Sequence, residues 1–232
     1  MRQPRKEVFL NMDFVRQNQM LVIDVDKLEF VKEFCHMPSP EKFRESLAQF
    51  AVDESTVREI NKGYEDVISK TNKKIKSAYM KQALEVMNER LPKERVQEII
   101  EANACCKSGT RLKASKEFAR IHADKTIEEK LKLISSRPYL NMGSAELDEN
   151  GDLIVHAVSF RPGEKFECAC PTVSKVKRDY NIPREYCYCC GGHFRFHYEI
   201  MLDVKLELCS IVSSPHDTDG QKPCVFKYRI VE

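Results

Sequence analysis

The sequence predicts an α+β protein in which a helical N-terminal part is followed by an antiparallel sheet packed on helices, with a cysteine-rich metal site. From about residue 27 to 137, lysine and glutamate are interleaved with apolar residues, as in amphipathic helices. After Pro138 the apolar residues alternate and turn residues separate the runs, which is typical of strands. We therefore divide the chain into a helical region, 1–137, and a cysteine-rich α+β region, 138–232.

The composition limits the class of protein. The 232 residues are 42% hydrophobic and 32% charged, which describes a globular chain long enough to bury a core. A formal net charge of +2 gives no general basic surface, so nucleic acid is not the expected partner. The first residues lack the apolar run of a signal peptide, and no stretch reaches the length of a membrane helix. We expect a cytoplasmic protein that does not enter a membrane.

The predicted helices have start and stop signals. Ser39 is the expected N-cap of the first helix, and Pro40 is its first residue, where a missing N–H costs nothing. A longer amphipathic pattern is broken near Thr71-Asn72, and Pro92 stops it and starts another helix, for which Gly109 is the expected C-cap. The apolar stripe of the longer pattern comprises Val57, Ile60, Tyr64, Val67, Ile68 and Ile75. Two shorter helices follow, and this region is where we would expect a homodimer to form.

The second region contains the predicted strands. Alternation on both sides of Asn150-Gly151 predicts a β-hairpin with this pair at its turn. The runs "DVKLELCSIV" and "CVFKYRIV" alternate as two more strands. Before them, "GGHFRFHYEIML" predicts a helix, because Phe194, Tyr198 and Met201 fall on one side.

The segment before this helix contains the candidate metal ligands, which are two groups of thiols and one imidazole: Cys168, Cys170, Cys187, Cys189, Cys190 and His193. Cytosolic thiols are kept reduced, so clustered cysteines there favour metal ligation over disulfides. Cys187 and Cys190 would share one face of a helix, and His193 could replace a cysteine. Four thiolates in a tetrahedron hold zinc, which we prefer to an iron–sulfur cluster.

Other interpretations of these thiols stay open. They could perform redox or nucleophilic chemistry, or they could be small buried apolar side chains, which is our interpretation of Cys35. Cys105 and Cys106 follow a helix beside Lys107, and we do not assign them to the metal site.

The segment from Cys187 to Ile230 contains a cysteine before a glycine-containing helix, a strand with Cys209, a polar turn, and a C-x-F motif at Cys224. In this order it resembles the 4-vinyl reductase domain, a small-molecule-binding domain, and the related L-2-amino-thiazoline-4-carboxylic acid hydrolase-like family. The resemblance implies an antiparallel sheet packed against helices, an apolar pocket between them and, in some relatives, zinc held by cysteines. Two ligand sets therefore compete, of which the more closely spaced first is favoured: Cys168/Cys170/Cys187/Cys190 and Cys190/Cys209/Cys224.

From these observations we expect a metal-stapled small-molecule-binding protein, a sensor or carrier of the bacterial 4-vinyl reductase-like type. Its small organic ligand would lie against the predicted helix and the last strand, which presents Phe226, Tyr228 and Ile230 on one face. The alternative is a metal- or thiol-dependent hydrolase acting on a small organic substrate, for which the relevant histidines are His156, His193 and His197. A DNA-binding sensor with a helix-turn-helix around Pro92 is a third hypothesis, which the near-neutral charge disfavours.

Overall fold

The computed structural model describes residues 39–105, 107–136, 142–157, 163–168, 170, 172–173 and 176–231. Interpretations that concern Cys35, Cys106 or the first 38 residues lie outside this part of the chain. Within it, seven α-helices and a four-stranded antiparallel sheet confirm the predicted α+β class.

The N-terminal helices are α1 (Pro40–Gln49), α2 (Glu54–Asn61), α3 (Lys73–Arg90), α4 (Lys93–Ala102), α5 (Gly109–Ile121) and α6 (Ile127–Ser135). Ser39 caps α1 as predicted, because its side-chain oxygen accepts a hydrogen bond from the Lys42 N–H. The predicted break is also confirmed, since Asn72 caps α3 through its side chain. Pro92 precedes α4, in agreement with its expected role.

Two helix predictions were wrong. Gly109 does not end α4, which stops at Ala102 with Asn103 as its C-cap; it begins α5 instead, with a φ of 67° that glycine adopts without strain. Ile68 and Ile75 belong to the predicted apolar stripe, yet they are 44% and 43% exposed. The chain leaves the helical path between α2 and α3, so a single helical period does not extend across this stretch.

The strands pair as the sequence predicts. β1 (Ser144–Leu147) and β2 (Leu153–His156) form an antiparallel hairpin around Asn150-Gly151. β3 (Lys205–Ser213) and β4 (Val225–Val231) are also antiparallel neighbours, and the order across the sheet is β1-β2-β4-β3. The sheet therefore consists of two hairpins joined through β2 and β4.

A long helix covers one face of this sheet. A short 3-10 helix, Arg184–Cys187, leads into α7 (Tyr188–Leu202). The ring of Phe194 lies 5.9 Å from that of Phe226 on β4. Asp203 then takes a left-handed conformation with a φ of 59°, which ends α7 and starts the turn into β3. The helix and the buried face of the sheet share one apolar core.

The edge strand β3 is covered by side chains from the helical layer. Gln97 of α4 donates a hydrogen bond to the Leu208 carbonyl, and Arg184 donates one to the Ile211 carbonyl. The pairing of β3 with β4 shifts register between Leu208 and Ser210, so the strand is irregular at the same place. An edge strand that is covered by side chains and irregular in its pairing cannot readily pair with a strand of another chain.

Two adjacent glycines set the position of α7. A Cβ on Gly192 would lie 2.7 Å from the Glu101 carbonyl oxygen and 2.9 Å from the Glu101 Cα of α4. A Cβ on Gly191 would lie 2.5 Å from a methyl group of Leu208 on β3. The start of α7 is therefore held between α4 and the sheet at a distance that admits no side chain.

The helical region packs directly on the α+β region. Besides α4, the helices α5 and α6 contact α7, and α6 contacts β1. The residues Glu33–Glu232 form one compact unit. Helix α6 ends at Ser135 and strand β1 begins at Ser144, on either side of the predicted boundary at residue 137, which as a division between domains stays a prediction. Among the described residues, no helix combines the length and the apolar content needed to cross a membrane.

We predict that replacing Gly192 by alanine lowers the free energy of unfolding by about 1–3 kcal/mol, because the added methyl group meets the backbone of α4, which cannot move aside. Denaturant unfolding of the wild type and the variant measures the difference. Gly163→Ala is the matched control, since a Cβ there meets no atom within 4 Å. Equal stability of the wild type and the Gly192 variant would contradict the close packing.

Candidate metal centre and neighbouring clefts

Two of the predicted ligands lie where the 3-10 helix runs into α7. Cys187 is the last residue of the 3-10 helix, and Cys190 lies in the first turn of α7. Cys187 is 3% exposed, and Cys190 is half-buried. The three-residue spacing brings both sulfurs to one side of the chain, as the sequence predicts.

Further cysteines reach the same place from two other segments. The Cys170 sulfur lies 3.1 Å from the Tyr186 hydroxyl, which belongs to the 3-10 helix. The segment that carries Cys168 is tied to the β3–β4 loop by a hydrogen bond of 2.8 Å from the Phe166 N–H to the Gly220 carbonyl. Cys224 ends that loop directly before β4. Three separate parts of the chain therefore bring cysteines together.

The pKa values of these thiols show that they influence one another. Burial raises the pKa of Cys168, and the charges that Cys170, Cys187 and Cys224 would carry as thiolates raise it further. Burial also raises the pKa of Cys190, with further increases from the same neighbours and from Cys168. Such effects require short distances in a medium of low dielectric constant. We call these residues the thiol cluster: Cys168, Cys170, Cys187, Cys190 and Cys224.

The other two members with a shifted pKa follow the same rule. Burial raises the pKa of Cys187 strongly, and the neighbouring Cys224 adds to the increase. Burial raises the pKa of Cys224 to about 11, and the carboxylate of Asp217 contributes. At neutral pH and without a cation, these groups are therefore protonated thiols.

Cys189 and Cys209 are placed differently from the thiol cluster. Cys189 is 1% exposed and contacts the α4–α5 connection, where it forms a hydrogen bond with Cys105 and lies 3.9 Å from the Asn103 carbonyl. Cys209 is exposed on β3, and its sulfur contacts the Glu207 carbonyl. The cluster therefore includes Cys224 from the second predicted ligand set but not Cys209.

His193 has partners of its own. Arg111 of α5 donates to its Nε2 at 3.0 Å, which leaves the ring proton on Nδ1 to be donated to the Cys105 carbonyl at 3.1 Å. Its neighbour His197 is fully buried, and the His197 Nδ1 lies 2.8 Å from the hydroxyl of Ser115. Both histidines thus belong to a buried polar contact between α5 and α7, and neither nitrogen of His193 is directed at the thiols. His156 is at the surface, 3.3 Å from Glu146.

As they stand, the described residues contain no group of three or more histidine, cysteine, aspartate or glutamate side chains close enough to hold a metal ion. The thiol cluster is thus a gathering of sulfurs and not a formed ligand shell. Its chemistry nevertheless fits zinc, because thiolate sulfurs are preferred zinc ligands and four of them complete a tetrahedron. A divalent cation would also stabilise the thiolate forms, which burial and then the neighbouring thiols disfavour.

The aromatic residues expected to line an apolar pocket are core residues. Tyr198, Met201, Phe226 and Tyr228 have no exposed surface, and Phe194 is 6% exposed. The hydroxyl of Tyr228 donates to the Gly191 carbonyl at 2.8 Å, and that of Tyr198 donates to the Met142 carbonyl at 3.3 Å. Because these side chains fill the space between α7 and the sheet, any ligand must bind elsewhere.

Two clefts lie beside this core. One, of about 810 Å³, runs between α4, the start of α7 and the edge strand β3. Its floor carries Glu101, which is 3% exposed and lies 2.6 Å from the Arg195 guanidinium. Burial raises the pKa of Glu101, although Arg195 opposes the increase. A second cleft, of about 910 Å³, borders the thiol cluster at Cys168 and includes His216 of the β3–β4 loop.

The sequence pattern did not reveal the residues of these clefts. In the sequence, Glu101 and Arg195 look like other charged residues on the exposed face of a helix. They are 94 positions apart, and no motif links them. His216 lies in a polar loop without a metal-ligand spacing around it. Only the folded chain places these side chains together.

Comparison with protein-family models, curated proteins and solved structures found no match to the chain. The resemblance of the segment after Cys187 to the 4-vinyl reductase domain therefore stays a prediction.

Proposed function

We propose that the chain is a metal-stapled small-molecule-binding protein in which Cys168, Cys187, Cys190 and Cys224 bind one zinc ion. The observation that carries this proposal is the gathering of buried thiols from three segments, each with a pKa raised by burial and, for most, by its thiol neighbours. Compared with the set favoured by spacing alone, Cys224 replaces Cys170.

The choice of Cys224 over Cys170 follows from their contacts. The Cys170 sulfur is engaged by the Tyr186 hydroxyl at 3.1 Å, in a pocket where Tyr186 is 1% exposed. Cys224 is half-buried and contributes to the raised pKa of Cys168, Cys187 and Cys190. Cys170 then stays outside the four-ligand site, and its backbone N–H forms a hydrogen bond with the Cys168 sulfur, the kind of contact that orients a metal ligand.

Zinc would act here as a structural link. The proposed ligands belong to the segment before residue 170, to the junction of the 3-10 helix with α7, and to the start of β4. The first of these segments is hydrogen-bonded to the β3–β4 loop through Phe166 and Lys165, and a metal would add a link from it to the start of α7. Binding must draw the sulfurs closer together, and the free energy of metal binding then adds to that of folding.

The small-molecule part of the proposal is supported by the two clefts and by the predicted resemblance to a ligand-binding domain. The interior between α7 and the sheet is filled, so the clefts provide the volume for a ligand. Both have the size of ordinary small-molecule sites, and both combine apolar with charged side chains.

The alternative function, a metal- or thiol-dependent hydrolase, has weaker support. A thiol nucleophile must ionise near neutral pH, whereas burial raises the pKa of Cys168, Cys187 and Cys190. A catalytic zinc usually has a histidine or carboxylate ligand, and His193 is engaged by Arg111 and Cys105. The cluster is better suited to a closed structural site.

We predict that the protein purified with zinc contains about one zinc per chain, and that serine at Cys168, Cys187, Cys190 or Cys224 lowers both the zinc content and the melting temperature. Elemental analysis and thermal unfolding measure the two effects. Cys209→Ser is the matched control, because Cys209 is an exposed cysteine outside the thiol cluster. Wild-type zinc content and melting temperature in all four variants would rule out the proposed centre. Zinc loss in Cys170→Ser together with zinc retention in Cys224→Ser would instead restore the set favoured by spacing.

We also predict that zinc affinity falls as the pH is lowered from 8 to 6. Each ligand must lose a proton before it binds zinc, and the raised pKa values mean that these protons are present throughout this range. Every proton released on binding lowers the apparent affinity about tenfold per pH unit. Competition with a chromophoric zinc indicator at several pH values measures the slope. An affinity independent of pH would show that thiols of raised pKa are not the ligands.

A further inference from the structure

The cleft beside the thiol cluster has the features of a ligand site. It has a volume of about 910 Å³ and is bounded by the segment that ends at Cys168, by the stretch before the 3-10 helix, and by the β3–β4 loop. Tyr180 lies on its second wall, and His216 lies on its third. The ring of His216 packs edge-on against Tyr186 with 6.3 Å between the ring centres, which fixes its place in the wall.

Two residues that line this cleft carry a buried polar atom without a hydrogen-bond partner in the described part of the chain. These atoms are the Tyr180 hydroxyl oxygen and the His216 Nε2. Buried polar atoms are nearly always satisfied, so two unsatisfied atoms in residues that line one cleft indicate a missing partner such as a bound molecule. Burial and the nearby Arg178 lower the pKa of His216 to about 4, so its imidazole is neutral at pH 7. A neutral imidazole can donate to or accept from a ligand.

Most charges of the cleft lining are paired or offset. Two of its carboxylates are neutralised, since Asp219 pairs with Lys165 and Asp217 pairs with Arg184. Arg178 donates to the Val173 carbonyl at 2.7 Å but has no carboxylate partner among the described residues. The exposed residues Lys177 and Glu167 also line the cleft, and their charges offset one another. Arg178 is therefore the cation that is left to meet a ligand.

From these contacts we propose that the cleft binds a small organic carboxylate with an apolar body. Its carboxylate would be held by Arg178 and would satisfy the Tyr180 hydroxyl and the His216 imidazole. Its body would lie against the apolar lining, which is provided by Phe166, Val173 and Pro215. This inference rests on the proposed role as a small-molecule-binding protein. It names the chemical class of the ligand and the cleft that binds it.

Benzoate is a suitable probe, because it joins a carboxylate to an apolar ring, and benzamide is its uncharged match. Titration of the zinc-loaded full chain by calorimetry or ligand-observed NMR should show benzoate binding at least about tenfold more tightly than benzamide. Tyr180→Phe removes only the unsatisfied hydroxyl, and Arg178→Gln removes the charge. Each should weaken benzoate binding about tenfold or more, while Tyr180→Phe leaves the melting temperature unchanged or raises it. Tyr188→Phe in the other cleft is the matched control and should bind as the wild type does.

Three results would overturn the inference: equal binding of benzoate and benzamide, wild-type benzoate affinity in both variants, or no saturable benzoate binding up to about 10 mM. The zinc content of the same samples separates this inference from the proposed metal centre. Tight benzoate binding by a chain that holds no zinc would support the cleft and contradict the centre. If zinc-loaded protein binds benzoate and benzamide equally, the proposed role in small-molecule binding stands and the carboxylate site is wrong.

Discussion

The structure depends on the close approach of α7 to the two layers around it. Gly191 faces Leu208 of β3, and Gly192 faces the backbone of Glu101 in α4, with no space for a side chain at either contact. Because the Glu101 backbone cannot move aside as a side chain can, the contact at Gly192 sets how closely α7 approaches α4. The polar contacts of the helix follow from it, including the hydrogen bond from Tyr228 to the Gly191 carbonyl.

The fixed start of α7 also determines where the reactive side chains lie. Successive residues of a helix point in different directions, so Cys189 contacts Cys105, whereas Cys190 joins the thiol cluster. His193 is directed at α5 and is held there by Arg111. One helical turn thus separates Cys190 of the thiol cluster from side chains that contact the neighbouring helices. Two clefts lie beside the filled core, and the one that borders Cys168 is lined by Tyr180 and His216, which carry unsatisfied buried polar atoms.

Local signals predicted much of the fold and less of the site. The cap at Ser39, the turn at Asn150-Gly151 and the last two strands were correct because each depends on a few neighbouring residues. Gly109 was wrong because glycine with positive φ occurs at both ends of helices, and its neighbours do not say which. The candidate metal ligands were chosen by spacing, and as a metal site they stay a prediction, although Cys168, Cys170, Cys187 and Cys190 lie close enough to influence one another's pKa. Spacing could not show that Cys189 faces the opposite way.

The sequence by itself determined the class of fold, the two strands at the end of the chain and the presence of a concentration of thiols. These follow from periodicity, turn residues and composition, which act over short stretches of chain. Only the tertiary structure decided that Cys224 joins the cluster, that the aromatic stripe of α7 is core, and that Tyr180 and His216 share a cleft. Those outcomes depend on how distant segments pack, because burial and the contacts of a side chain are set by neighbours from elsewhere in the chain.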